Sequence, residues 1–293
     1  MSLLRVHAEP ASPRPVLVHA FAGFLDAGGG GRIAVTHMIE ALPSRVIADF
    51  DIDLLYDYRG RRPRATFLSD HYGEIDLPQL QLHEVTDSQG QGFLVPNGPE
   101  PDLGWRTVRD TIIELVLRWD ISLVVGMQGV PFPAPHTRPV QVTAHGNDSR
   151  LIAGRTPWVG DIEVPGSLAG LLELALTDKS RTSLGLVAHV PHYLAASDYP
   201  AAAVRLIEEF SATTGLTIPL DDVRASAEQA DAEIERQVSS DPDNRKVVAA
   251  LEEQFDGIVA ARASGSESAA DLPVATGDEI AAQVEQFLAE LDR

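Results

Sequence analysis

Val16-Leu17-Val18-His19-Ala20-Phe21, then Gly23-Phe24-Leu25-Asp26-Ala27-Gly28-Gly29-Gly30-Gly31, then a helical pattern ending at Leu42, is the passage that decides the fold class. An apolar run, a glycine-rich turn and a helix in that order form the opening unit of an α/β fold. Apolar runs recur at residues 46–50, 121–125, 140–144 and 184–190. They are continuous rather than alternating, which suits strands buried on both faces. Helical patterns lie between them. Trp105, Val108, Ile112, Leu115, Val116 and Trp119 share one helix face, and Val204, Ile207 and Phe210 share another behind Pro200, a residue suited to a first turn. Residues 29–42 and 167–176 read the same way. Strands alternating with helices predict a mostly parallel sheet covered on both sides, a three-layer α/β/α sandwich. Residues 75–85 and 93–95, joined across 87–92, read as an antiparallel hairpin inserted into it.

Charge divides the chain near Pro219. Residues 219–293 hold 18 acids against 6 bases, and residues 1–218 hold 25 against 17. The first part, 1–218, is read as the α/β/α core and the second, 219–293, as an acidic C-terminal helical extension. Within the extension Val223, Ala227, Ala230, Ile234 and Val238 form one apolar stripe. Val247, Leu251, Phe255 and Ile258 form a second, and the two are expected to pair as a helical hairpin. Small and polar residues at 263–275 read as a flexible linker. Thr276-Gly277-Asp278-Glu279 has capping-box spacing and opens a predicted last helix.

The 293 residues carry a formal net charge of -20 and no cysteine. A cysteine-free chain has no disulfide framework, thiolate zinc site or thiol nucleophile, and it suits a reducing, cytoplasmic setting. No apolar run approaches the ~20 residues of a membrane span, and residues 1–15 lack the apolar centre of a signal peptide. Strong negative charge makes nucleic acid and anionic membrane surfaces poor partners.

Candidate chemistry gathers at predicted strand ends. The glycine turn sits where α/β folds bind phosphate, which makes Asp26, Gly28, Gly29 and Gly30 ligand-binding candidates. No lysine follows the last glycine as a Walker loop needs, and Ile33 breaks the Gly-x-Gly-x-x-Gly frame. The same glycines also serve a tight turn with close helix-sheet packing. Pro131-Phe132-Pro133-Ala134-Pro135-His136-Thr137-Arg138-Pro139 is stiffened by proline. It holds His136 and Arg138 at the sheet's carboxyl edge, either for a ligand or as the rim of a subunit interface. His192 is a further candidate beside His145 and His189. His189-x-x-His192 spans a strand end with Pro191 inside it, unlike a helical metal pair, so no metal and no cofactor is expected. Gly-x-Ser-x-Gly is absent, and Ser167 reads as a helix cap. Only Lys179 and Lys246 stand against 21 arginines, so phosphate contacts would fall to arginine or backbone amides.

Taken in order, Gly23-Phe24-Leu25-Asp26-Ala27-Gly28, Gly98-Pro99-Glu100-Pro101-Asp102 with Trp105, Thr137-Arg138-Pro139-Val140, Pro165-Gly166, and Pro191-His192-Tyr193 with Tyr199-Pro200 resemble the proteasome assembly chaperone family, second subunit type. The resemblance spans residues 15 to about 215, and the acidic helical extension resembles actinobacterial members. It implies a phosphorylase- or hydrolase-like α/β/α core, a tendency to form homo-oligomers, and a partner among proteasome subunits. Family members often dock through a hydrophobic-Tyr-any tail, whereas this sequence ends Leu291-Asp292-Arg293. Two functions follow: a non-catalytic interaction protein, or an enzyme acting on a small phosphorylated or nucleoside-like ligand at the glycine turn.

Overall fold

A computed structural model describes residues 3–155 and 161–263. Strands β1 (Leu4–Val6) and β2 (Val16–His19) lead into helix α1 (Gly30–Ala41), β3 (Ser44–Phe50), β4 (Ala65–Leu68) and β5 (His71–Ile75). Then come β6 (Gln81–Thr86), β7 (Gly92–Asn97), α2 (Trp105–Arg118), β8 (Leu123–Phe132), β9 (Val142–Gly146), α3 (Ser149–Ile152) and α4 (Leu168–Asp178). The described residues close with β10 (Ser183–Pro191), α5 (Pro200–Thr214), α6 (Asp221–Ser240) and α7 (Pro242–Ala263).

Eight strands form one sheet in the order β1-β3-β6-β7-β2-β8-β10-β9. The central strands β7, β2, β8 and β10 are mutually parallel, while β9 on one side and β6, β3 and β1 on the other pair antiparallel. The sheet is therefore mixed rather than mostly parallel. The expected hairpin accounts for the difference, because its β7 joins the centre of the sheet beside β2 and its β6, which begins at Gln81 rather than residue 75, carries β3 and β1 on antiparallel. Its turn is tied by the Asp87 carboxylate, which accepts from the amides of Gln89, Gln91 and Thr217 at 2.9, 2.8 and 2.8 Å.

Side chains alternate across each strand, so the sheet packs two cores. Val16 and Val18 of β2 meet α1 and α5 through Ala34, Met38, Leu206 and Phe210. Leu17, next to them in sequence, turns to the opposite face with Val108 and Ile112 of α2 and Leu168 and Leu172 of α4. Helices on both faces make the three layers. Pro200 opens α5, and Ser167 caps α4 by accepting from the Gly170 amide at 3.1 Å. α6 packs on α5 with Val223 and Ala227 buried, and α7 folds back on α6 with Val248, Leu251 and Phe255 inward. The expected linker beyond residue 263 and the last helix lie outside the described residues. No described helix is long and apolar enough to cross a membrane.

One element stands off the sheet. β4 and β5 form a separate two-stranded ribbon in which every residue is exposed, with Phe67 and Tyr72 in edge-to-face contact at 5.2 Å. The sequence predicts no strand between residues 50 and 75, so β4 and all of β5 except Ile75 lie outside the expected elements.

Candidate functional site

At the glycine turn the Asp26 carboxylate accepts from the Gly31 amide at 2.8 Å and the Arg32 amide at 2.9 Å. Burial pushes the Asp26 carboxyl above its ordinary range, against the pull of those two amides. The Gly28 and Gly29 amides are also engaged, by the carbonyls of Ala195 and Asp26, each at 2.9 Å. The first amides of a helix attract anions, and here the protein supplies its own. Gly28 has φ 68, and a Cβ on it would lie 3.0 Å from Val190 and from Tyr199. Gly30 is ordinary helical backbone at φ -59, but a Cβ there would lie 2.9 Å from the Cβ of Ala202 in α5. Both glycines thus serve the close approach of α1 to α5 and β10.

His136 and Arg138 are likewise committed to internal contacts. The His136 amide donates to the Tyr193 hydroxyl at 2.8 Å, and its Nδ1 lies 2.7 Å from the same oxygen. Arg138 forks onto Asp256 of α7 at 2.8 and 2.7 Å and reaches Glu252 at 3.2 Å. The Arg138 guanidinium holds the Asp256 carboxyl below its usual range. His136 and Arg138 line a cavity of about 300 Å³ with Tyr199 and with Asp231 of α6. His136 Nε2 sits 3.4 Å from Glu235, outside hydrogen-bond geometry, and burial pushes the Asp231 carboxyl up. Asp26, Gly28, Gly29, Gly30 and His192 do not line this cavity. His192 lies apart beneath Tyr193, its imidazole held below the ordinary range by burial. All seven predicted residues therefore lie near one edge of the sheet without converging on one concavity. Asp26 and the glycines shape the turn into α1, while Arg138 fastens α7 to the core and His136 faces Glu235 of α6.

The opposite face holds the larger opening. His19 of β2 pairs with Gly126 of β8, Gly126 with Gly185 of β10, and Gly185 with His145 of β9. One cross-strand row thus reads His-Gly-Gly-His. The imidazoles use the room the glycines leave: a Cβ on Gly126 would lie 3.1 Å from His19 Cε1, and one on Gly185 would lie 2.2 Å from His145. Above this row a cavity of about 610 Å³ runs under α4, with Trp105 of α2 and Leu171 and Leu174 of α4 among its walls. His145 Nδ1 lies 3.1 Å from Glu173, and that hydrogen bond raises the His145 imidazole above its ordinary value. His19 is 4% exposed and makes no hydrogen bond among the described residues; burial lowers its pKa to about 4. The hydroxyl of Ser183, also on the cavity wall, has no partner. His19, Ser183 and Glu173 escaped the sequence reading because two of them sit inside or beside apolar runs. The available signal was a pair of glycines, Gly126 and Gly185, each within or next to a run that otherwise admits none.

Comparison with known proteins gives a family model described as the PAC2 family, which matches residues 20–238. None of the curated proteins matches the sequence. Among solved structures, a Mycobacterium tuberculosis protein of unknown function is similar at 40% identity, over 89% of this chain and 91% of that one, with a TM-score of 0.86. A Corynebacterium glutamicum protein of unknown function is 33% identical over 88% of this chain and 98% of its own, with a TM-score of 0.84. A Mycobacterium tuberculosis proteasome-assembly chaperone homologue is 25% identical over 80% of this chain and 99% of its own, with a TM-score of 0.72.

Proposed function

Because the chain belongs to the PAC2 family, we propose that it is a non-catalytic, self-associating interaction protein that takes part in proteasome assembly or regulation. The likeness to a proteasome-assembly chaperone homologue supports the proteasome part of this reading. The observation that carries self-association is the β4–β5 ribbon. An isolated two-stranded ribbon is marginally stable in water, and this one leaves Phe67 59% and Tyr72 70% exposed, with Leu68, Ile75 and Leu77 open beside them. Such a patch is stabilised by a covering surface. A second copy of the same ribbon is the cover of matching character: Arg59, Arg61, Arg62 and Arg64 are offset by Asp57, Asp70, Glu74 and Asp76, and Arg61 is paired with Asp102, so the patch is apolar and close to neutral. Against the enzyme reading weighs the glycine turn, whose leading amides are already bonded to Asp26 and Ala195. A chain without cysteine suits the cytoplasm, where we place it.

Light scattering of the purified protein tests self-association. A mass at a multiple of 31.5 kDa is expected, falling to 31.5 kDa when Phe67→Asp and Tyr72→Asp are combined. A wild-type mass of 31.5 kDa at every concentration would end this part of the proposal. Co-migration with purified proteasome α subunits on size exclusion tests the rest, and separate elution at micromolar concentrations would overturn it.

A further inference from the structure

We propose that the cavity between α4 and the His19-Gly126-Gly185-His145 row binds an uncharged, largely apolar small molecule whose hydroxyl or carboxamide head meets the His19 imidazole. This goes beyond the assembly role and does not depend on it.

Four observations carry the assignment. At about 610 Å³ the cavity is of the size that encloses drug-sized molecules, and its walls are mainly apolar, with the indole of Trp105 among them. It is also built on rigid elements, since its floor is the register row of four adjacent strands. Buried polar atoms nearly always find partners, yet the Ser183 hydroxyl on this wall has none, and His19, at 4% exposure, stacks on Phe21 without a hydrogen bond among the described residues. A neutral imidazole offers one donor and one acceptor, so a hydroxyl or carboxamide that can both donate and accept a hydrogen bond matches it.

The charge of the ligand follows from the lining. Neither arginine nor lysine contributes to it, and its one raised imidazole, His145, is already paired with Glu173, so an anion would find no free counter-charge. Its two carboxylates are spoken for: Glu100 accepts from the Leu168 amide at 2.8 Å at the start of α4, and Glu173 bonds His145. A cation could reach Glu173 only by competing with His145. That leaves an uncharged molecule. Gly170 of α4 is an exposed residue of the cavity's lining, and an added Cβ there would meet nothing nearer than the Ser167 hydroxyl at 3.5 Å.

The test is a titration of the full chain by saturation-transfer NMR with three probes of one shape: cyclohexanecarboxamide, cyclohexanecarboxylate and cyclohexylmethylamine. The carboxamide should saturate with a dissociation constant of about 1 mM or tighter, and the two ions should bind at least ~10-fold more weakly. Gly170→Leu, which puts a good helix former and a bulky side chain at the mouth, should abolish binding while leaving the thermal transition in place. His19→Phe keeps the ring stack on Phe21, whose centroid lies 5.1 Å away, and should weaken the carboxamide roughly 3- to 10-fold. Failure of the carboxamide to saturate, equal binding of the carboxylate or the amine, or full affinity in either folded variant would overturn the proposal.

Discussion

On the α1 and α5 face, Gly28 and Gly30 let Val190, Tyr199 and Ala202 press against the turn, and Asp26 fills the anion position at the start of α1. On the α2 and α4 face, Gly126 and Gly185 admit two imidazoles, and the space above them stays open. Both faces omit side chains to make room for their own atoms, but only on the second does a cavity remain above them. A glycine-rich turn after a strand is therefore a weak sign of a ligand until the fate of its amides is known. Buried polar atoms without partners occur on both faces, His136 Nε2 and Asp231 Oδ1 beside the smaller cavity and the Ser183 hydroxyl beside the larger, and what sets the second face apart is the room left above them.

The largest effect should come from pressing on the filled face. Gly28→Ala forces a side chain into left-handed backbone and against Val190 and Tyr199, at 3.0 Å each. Strain and overpacking together should cost about 4 kcal/mol, read as a fall of ~10 °C in the thermal midpoint. Gly170→Leu on the open face should leave the midpoint level or raise it. If the two variants lost similar stability, the contrast between the faces would fail.

A smaller effect sharpens the contrast through pH. The His19 pKa is lowered from 6.5 to about 4 in the folded chain, so the unfolded chain takes up its proton first. Stability from this group is full above pH 6.5 and is lost as pH falls toward 4, by up to about 3 kcal/mol. His83 and His192 are also depressed by burial and add slopes of the same sign, so the comparison with His19→Phe isolates the share of His19. His145 is raised by Glu173, and its contribution disappears instead as pH rises through its folded value. Urea unfolding between pH 4 and 7 should show a shallower slope in His19→Phe; an unchanged slope would mean that His19 is not buried as described.

The strand, turn and helix at residues 16–42 were legible because each signal there is local: an apolar run, glycines, then a helical period. The same holds for Pro200 at the start of α5 and for Ser167 as a cap, whereas the expected stripe of α7 is displaced at its start, with Val247 51% exposed and Val248 buried in its place. Strand neighbours were not legible. Phe93, Leu94 and Val95 are buried on both sides of β7, as the strands of a parallel sheet are, but nothing in the residues says that the partner is β2. The ribbon at 65–75 has no run of apolar residues long enough to announce two strands. His19, Gly126, Gly185 and His145 come from four separate segments, and only the register of the finished sheet sets them side by side. The glycine turn, by contrast, was visible at once, and its two readings could be weighed only when the bonds of Asp26 were known.

The interaction-protein reading meets its most direct test in thermal unfolding with and without millimolar ATP, or with a nucleoside and phosphate together. With the Gly31 and Arg32 amides held by Asp26, and Arg138 by Asp256, no shift in the midpoint is expected. A nucleotide at 100 times its dissociation constant would contribute about 2.7 kcal/mol, a rise of several degrees for a chain of this size. Such a rise, removed by Arg138→Ala, would contradict the account and return the glycine turn and its neighbours to the status of an enzyme site.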